Sequence, residues 1–296
     1  MKNRNKPDLW VREIHKDVAG LSFKVEKTLF SGQSRYQHID IVQTAGHGRM
    51  LLNDGIVMLA ERDEFIYHEM IAHVPLFVHP APEQILVIGG GDGGTVREVL
   101  RHPGVQRVVM VEIDELVVNA CRDHIPSVSC AMDDPRMELL IADGVGFIAE
   151  TDERFDVIII DSTDPVGPAQ PLFDKDFYKN AAARLAPDGI LIAQAESPFY
   201  DLDLQLPMLR NLRPFFPKLH LYLFTCLTYP GGLWSFAFAS NGLCPIADFD
   251  PEKVRRCGFS PRYYNPAVHR SAFALPTFAA DNLAEVLDPV EAPHTG

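Results

Sequence analysis

Asp92 stands inside a glycine-rich turn where most such turns hold phosphate. The stretch LVIGGGDGGTVREVL, residues 86–100, sets Gly89, Gly91 and Gly94 in G-x-G-x-x-G register between an apolar run and a helical pattern. That is the dinucleotide fingerprint. A carboxylate in the turn repels a pyrophosphate, whereas it attracts a sulfonium or an ammonium. Opposite unit charges about 4 Å apart, at an effective dielectric near 20, gain about 4 kcal/mol before desolvation. Glu112 ends the next apolar run, about twenty residues beyond the loop, where an acid accepts hydrogen bonds from ribose hydroxyls. The loop and Glu112 therefore point to a nucleoside. Nicotinamide enzymes and S-adenosylmethionine enzymes share that pair, and Asp92 favours the second. Asp92 could instead cap the following helix, and Glu112 could do the same, although Asp114 is better placed for that job.

Two further stretches add carboxylates. In IADGVGF, Asp143 and Gly144 end a third apolar run, where a carboxylate can accept from an adenine amine and an amide can donate to a ring nitrogen. Asp-Gly is equally a turn signal. In DVIIIDSTDPVGPAQPLF, Asp161 ends a buried run and Asp164 follows three residues later in a proline-rich loop. Carboxylates this close repel unless a cation lies between them, and prolines stiffen a loop as a lid requires. The stretch IYHEMIAH resembles a zinc helix, but His68 and His73 are five positions apart, about 140° around a helix. Metal binding is not expected there, and Tyr67 and His68 become candidate pocket residues. A P-loop lysine and a G-x-S-x-G elbow are both missing.

The elements that must hold these residues are legible as two patterns. Residues 20–60 alternate apolar and polar around the turn signals FSGQSR, TAGHG and NDG, which predicts a β-meander. Residues 61–79 read as a helix with acids in its first turn. After HPAPEQ, strands apolar on both faces alternate with helical stretches, the signature of a parallel sheet covered by helices. HLYLFTCL and LWSFAFAS, joined by TYPGG, can only form an antiparallel hairpin. The expected division is 1–78, a β-meander domain with its linking helix, and 79–296, a nucleoside-binding α/β domain. Ligands in such sheets bind beyond the carboxyl ends of the strands, and those ends carry mostly carboxylates, with Gln194 and Glu196 on the fifth.

Bulk properties narrow the partners. The 296 residues carry a formal charge of −13, which argues against nucleic acid. No apolar run approaches the roughly 18 residues of a membrane span, and the N-terminal MKNRNKPDLWVREIH lacks the apolar segment of a signal peptide. Five scattered cysteines without a C-x-x-C are expected to be reduced thiols. A cytoplasmic protein is expected.

Taken in order from Trp10 to about Thr277, the chain resembles the polyamine aminopropyltransferases, the family of the spermidine synthases. The resemblance rests on SRYQ, LNDGIVMLAERDEFIYHEM, GGGDGGTVREVL, EIDE, FDVIIIDSTDPVGP, LFDKDFY, TYPGG and FALPTF. It implies a methyltransferase-like Rossmann core with a seven-stranded, mostly parallel sheet, plus a small N-terminal β-domain. It implies transfer of the aminopropyl group of decarboxylated S-adenosylmethionine to putrescine, giving spermidine and 5'-methylthioadenosine, with no cofactor beyond that co-substrate. By resemblance, Asp161 takes the proton of the attacking amine. Asp92 and Asp164 hold amino groups. Gln33, Glu112, Asp143, Gly144 and Pro168 line the donor pocket. Tyr67, His68, Ser162, Thr163 and Tyr229 line the diamine channel, with Gln194 a weaker correspondence. A homodimer or homotetramer is implied. The family often has Pro-Ser-Gly where this chain has Pro230-Gly231-Gly232, and varies between His and Gln at position 68; both differences bear on the acceptor. Cadaverine, agmatine or spermidine as acceptor, or methyl transfer from S-adenosylmethionine, are the alternatives. A methyltransferase must bind the donor's carboxylate, which an acid-lined site repels.

Overall fold

The computed structural model describes residues 8–165 and 167–290. Residues 9–60 form a five-stranded antiparallel sheet in sequence order: β1 (Leu9–His15), β2 (Ala19–Gln33), β3 (His38–Thr44), β4 (Arg49–Asn53) and β5 (Ile56–Ala60). The meander is as expected, with one strand more: LWVREIH also pairs along its whole length with β2. The β4–β5 hairpin turns on Asp54 and Gly55, both at positive φ, which matches the right-handed twist of the strands it joins.

Next comes α1 (Glu64–Val78), nearly all of whose residues are buried. A helix buried on all sides belongs between layers. It packs with the larger sheet, in one core with Val87, Val108, Val157 and Ile192. Although the expected division assigned it to residues 1–78, it shares its burial with the second unit.

That unit continues with β6 (Gln84–Gly89), α2 (Gly94–Leu100), β7 (Arg107–Glu112), α3 (Glu115–His124), α4 (Pro126–Ser129), β8 (Met137–Ile141), α5 (Gly144–Glu150) and β9 (Phe155–Asp161). It goes on with α6 (Lys175–Ala183), β10 (Leu185–Gln194), α7 (Leu202–Leu212), β11 (Lys218–Thr225) and β12 (Leu233–Ser240), followed by α8 (Pro251–Arg255), α9 (Pro266–Ala272) and α10 (Thr277–Leu283). The sheet order is β11-β12-β10-β9-β6-β7-β8. Only β12 runs against the rest, pairing antiparallel with both β10 and β11. The central strands are buried on both faces, as helices on both sides of a parallel sheet require. From β6 the chain goes to β7 on one side and, later, to β9 on the other; a crevice opens at such a reversal. Among the described residues no helix is long and apolar enough to cross a membrane.

Candidate active site

The glycine loop exists in its tight form because β9 lies against it. A Cβ at Gly89, whose φ is +85°, would sit 2.1 Å from the Asp161 carbonyl oxygen. The Gly90 amide donates to that same oxygen at 2.8 Å. The end of β6 is thereby fastened to the end of β9, and a cavity of about 160 Å³ opens above them. Asp92, Glu112, Asp143 and Asp161 line its floor and sides. Leu51, Met58, Leu59 and Ala60, from the N-terminal sheet, make an apolar roof.

Asp161 is held on both oxygens. The Tyr67 hydroxyl donates to Oδ1 at 2.7 Å and the Thr95 hydroxyl to Oδ2 at 2.6 Å. Burial and the charge of Asp92 raise its pKa; His68 and the two hydroxyls oppose them. The carboxylate is fixed in orientation and shifted toward proton uptake, which suits a base. Thr95 is fully buried; the sequence reading missed it because it sits one residue past the fingerprint and reads as an ordinary helix start.

Asp92 performs the cap that was its bland alternative, its Oδ1 accepting from the Gly94 amide at 2.7 Å. It also faces His68, whose Nε2 lies 3.3 Å from the same oxygen. On the other side of the ring, Glu64 Oε2 lies 2.5 Å from Nδ1, and Arg97 forks onto Glu64 at 2.8 and 3.1 Å. A Cβ at Gly94 would fall 2.2 Å from His68 Cε1. The third glycine of the loop therefore makes room for an imidazole. Glu64 was legible four residues before His68 on one helix face; Arg97 was not.

Glu112 is buried at the rim and accepts from the Asp114 amide at 2.8 Å. Burial pushes its pKa up to about 7. Asp114 caps α3, accepting from Leu116, as its spacing predicts. Asp143 lines the cavity and also caps α5, accepting from the Val145 amide at 3.0 Å. Gly144, Ser162, Thr163 and Pro168 lie on the same wall. Tyr229 reaches across the seam, donating from its hydroxyl to the Met58 carbonyl at 2.5 Å, with its ring edge-on to Tyr67.

Three expected residues lie elsewhere. Gln33 is exposed, its amide turned to the Ser34 carbonyl; a turn at Ser34–Gln37 puts Tyr36 and Gln37 on the cavity wall in its place. Asp164 does not share the cavity with Asp161. Beyond β9 the chain leaves regular structure, and Asp164 joins a second acidic cluster with Asp201, Glu196 and His15. The two acids are thus separated by direction, and no cation is needed between them. Gln194 is buried at the end of β10, beside Glu196 and away from the cavity wall.

Residues 64–250 match the family description "Spermine/spermidine synthase domain", and residues 9–61 match "Spermidine synthase tetramerisation domain". The polyamine aminopropyltransferase of Caldicellulosiruptor saccharolyticus is 46% identical over 271 residues, 92% of this chain and 96% of that one. That of Thermotoga maritima is 46% identical over 277 residues, covering 93% and 94%. A crystal structure of spermidine synthase in complex with the transition-state analogue AdoDATO superposes with a TM-score of 0.92 at 45% identity, covering 95% of this chain and 96% of that one. The match in sequence and in overall fold places the chain in a known enzyme family, and the chain belongs to the spermine/spermidine synthase family of polyamine aminopropyltransferases.

Proposed function

We propose that the chain transfers the aminopropyl group of decarboxylated S-adenosylmethionine to putrescine, giving spermidine and 5'-methylthioadenosine. The observation that carries this reading is a single cavity lined by Glu112 and Asp143 together with Asp92, Asp161 and Tyr67. A nucleoside fits the first set, with Glu112 toward the ribose and Asp143 and Gly144 toward the adenine. A cationic tail fits the second. Decarboxylation of the donor removes the one anionic group that these acids would repel.

An alkylamine has a pKa near 10, like lysine, so freeing its lone pair at pH 7 costs about 4 kcal/mol. Asp161 accepts that proton. The amine nitrogen then attacks the methylene carbon bonded to sulfur. A C–N bond forms, and the C–S pair returns to sulfur, which leaves as a neutral thioether. No general acid is required. Tyr67 and Thr95 keep Asp161 aimed, and alignment with desolvation supplies most of the rate. The donor is a co-substrate, and the reaction calls for no resident cofactor. Ser162, Thr163 and Tyr229 bound the diamine end. The tetramerisation-type match over residues 9–61 supports a homo-oligomer; a dimer or a tetramer in the cytoplasm is part of the proposal.

The test is an end-point assay by mass spectrometry. Purified protein receives decarboxylated S-adenosylmethionine with putrescine, cadaverine, agmatine or spermidine in separate reactions, and ordinary S-adenosylmethionine as the control. Methylthioadenosine and spermidine from the putrescine reaction are expected. Product from a different amine alone would reassign the acceptor. Product from the ordinary donor alone would replace aminopropyl transfer with methyl transfer.

A further inference from the structure

His68 is 2% exposed, and carboxylate oxygens face both of its ring nitrogens. A neutral imidazole has one N–H and one lone pair. Either tautomer would set its lone pair against a buried carboxylate. The other donors on both carboxylates, Arg97 on Glu64 and the Gly94 amide on Asp92, favour their charged forms. Glu64 is engaged on both oxygens by the Arg97 guanidinium, and the Asp92 oxygen that faces the ring already accepts from the Gly94 amide. An imidazolium that donates from both nitrogens satisfies every contact.

We infer that Glu64 and Arg97 are positioning residues for the reaction: they fix His68 as an imidazolium, so that the charge of Asp92 is compensated before substrate enters and Asp161 is the uncompensated carboxylate at the attacking amine. The charged groups around the ring are Glu64 on its own helix, Asp92 and Arg97 from the loop and α2, and Asp161 from β9. Burial works against the charged ring, but Asp92 and Glu64 together hold its pKa up to about 10. The consequence is chemical. The nucleophile must lose a proton before it attacks. A fixed cation beside Asp92 disfavours a second proton in the cavity and favours the free amine. With a neutral ring, Asp92 would hold the substrate as ammonium, tightly but unreactively.

The direct test reads the ring in the ligand-free protein. With histidine labelled at Cε1, the His68 resonance is followed by NMR from about pH 6 to pH 9, a window that brackets the ordinary histidine pKa. In the unsubstituted protein the His68 resonance is expected at the imidazolium position across the window, shifting only at its alkaline end, whereas a resonance held at the neutral position would overturn the inference. In Glu64→Gln it is expected to titrate within the window. Glu64→Gln should also move the acid limb of kcat upward by about one pH unit, with about tenfold lower kcat at pH 7 and KM unchanged or lower. A merely structural loss would lower kcat without moving the limb. Glu64→Asp, which restores the charge, should return the limb toward its original position. A His68 midpoint near 6.5 in the unsubstituted protein would overturn the inference. So would an acid limb unmoved by Glu64→Gln. If Glu64→Gln does not fold, the unsubstituted titration decides alone. Only the kinetic arm rests on the proposed transfer reaction; the titration stands whatever the cavity binds.

Discussion

Helix α1 carries two buried histidines that are built from nearly the same parts and do different things. His68 lies between Glu64 and Asp92 and opens onto the cavity. His73 lies with its Nδ1 3.0 Å from His102 Nε2 and its Nε2 3.3 Å from Glu98. It is enclosed by Phe77, Phe259 and Tyr264. Arg97 belongs to both groups: its terminal nitrogens fork onto Glu64 while its Nε donates to Glu98 at 2.9 Å. The difference lies in the second partner of each ring. A carboxylate beyond His68 keeps the cluster ionic and leaves it facing a ligand. Beyond His73 lies a second imidazole, that of His102, whose pKa burial pushes well down. One cluster lines the cavity and the other is enclosed by aromatic rings.

The largest separation between the two should come from activity. Asp161→Asn is expected to reduce kcat by about 100-fold or more, as loss of a general base does, while thermal unfolding and nucleoside binding stay close to the original. His102→Gln should leave kcat near its original value. Turnover surviving Asp161→Asn within about tenfold would remove Asp161 as the base. Next in size is Gly94→Ala. Its new methyl meets the His68 ring, and overpacking of this kind costs about 1–3 kcal/mol. Chemical unfolding should read that loss, and a smaller side chain at position 68 should restore part of it. Thr95→Val removes one of two hydroxyls on a buried carboxylate. It should cost about tenfold in kcat and raise the acid limb of the pH profile, because a hydrogen bond to the charged form is lost.

The smallest effects lie in the pH dependence of stability, where the two clusters have opposite signs. The folded pKa of His68 lies above the ordinary 6.5, so its contribution is complete below about 6.5 and is lost as pH rises through about 10. The folded pKa of His102 lies below 6.5, so below that pH the unfolded chain binds more protons and stability falls. Each slope is bounded at about 1.4 kcal/mol per pH unit. Unfolding midpoints measured across pH should therefore peak near neutrality. His102→Gln should flatten the acid side and Glu64→Gln the alkaline side. A single substitution that flattened both would mean that Arg97 couples the clusters into one.

What the sequence displayed of this arrangement follows chain distance. The strand ends were readable because buried parallel strands are apolar throughout and stop at a polar residue, which located Glu112, Asp143 and Asp161. Glu64 and His68 were readable as neighbours because four positions make one helical turn. The direction of a side chain after a strand ends was not readable. Asp161 and Asp164 look like a pair in DSTD, yet the first faces the cavity and the second faces Asp201. Likewise SGQSRYQ offers two glutamines, and the turn at Ser34 chooses Gln37 for the cavity and leaves Gln33 outside. Thr95 and Arg97 acquired their partners through tertiary contacts across 66 and 33 positions, beyond any local period. β1 was missed for the opposite reason: a seven-residue edge strand with little buried surface leaves a faint pattern.

The roof and floor of the cavity differ in kind. The floor, from the ends of β6, β7, β8 and β9, carries Asp92, Glu112, Asp143 and Asp161. The roof, from β4 and β5, is Leu51, Met58, Leu59 and Ala60. Exchanging Met58 or Leu59 for a larger or smaller apolar residue changes how much space a ligand has while leaving every carboxylate in position. The N-terminal sheet thus lays an apolar ceiling over a charged floor, and exchanges within residues 51–60 are the place to change the room above the carboxylates.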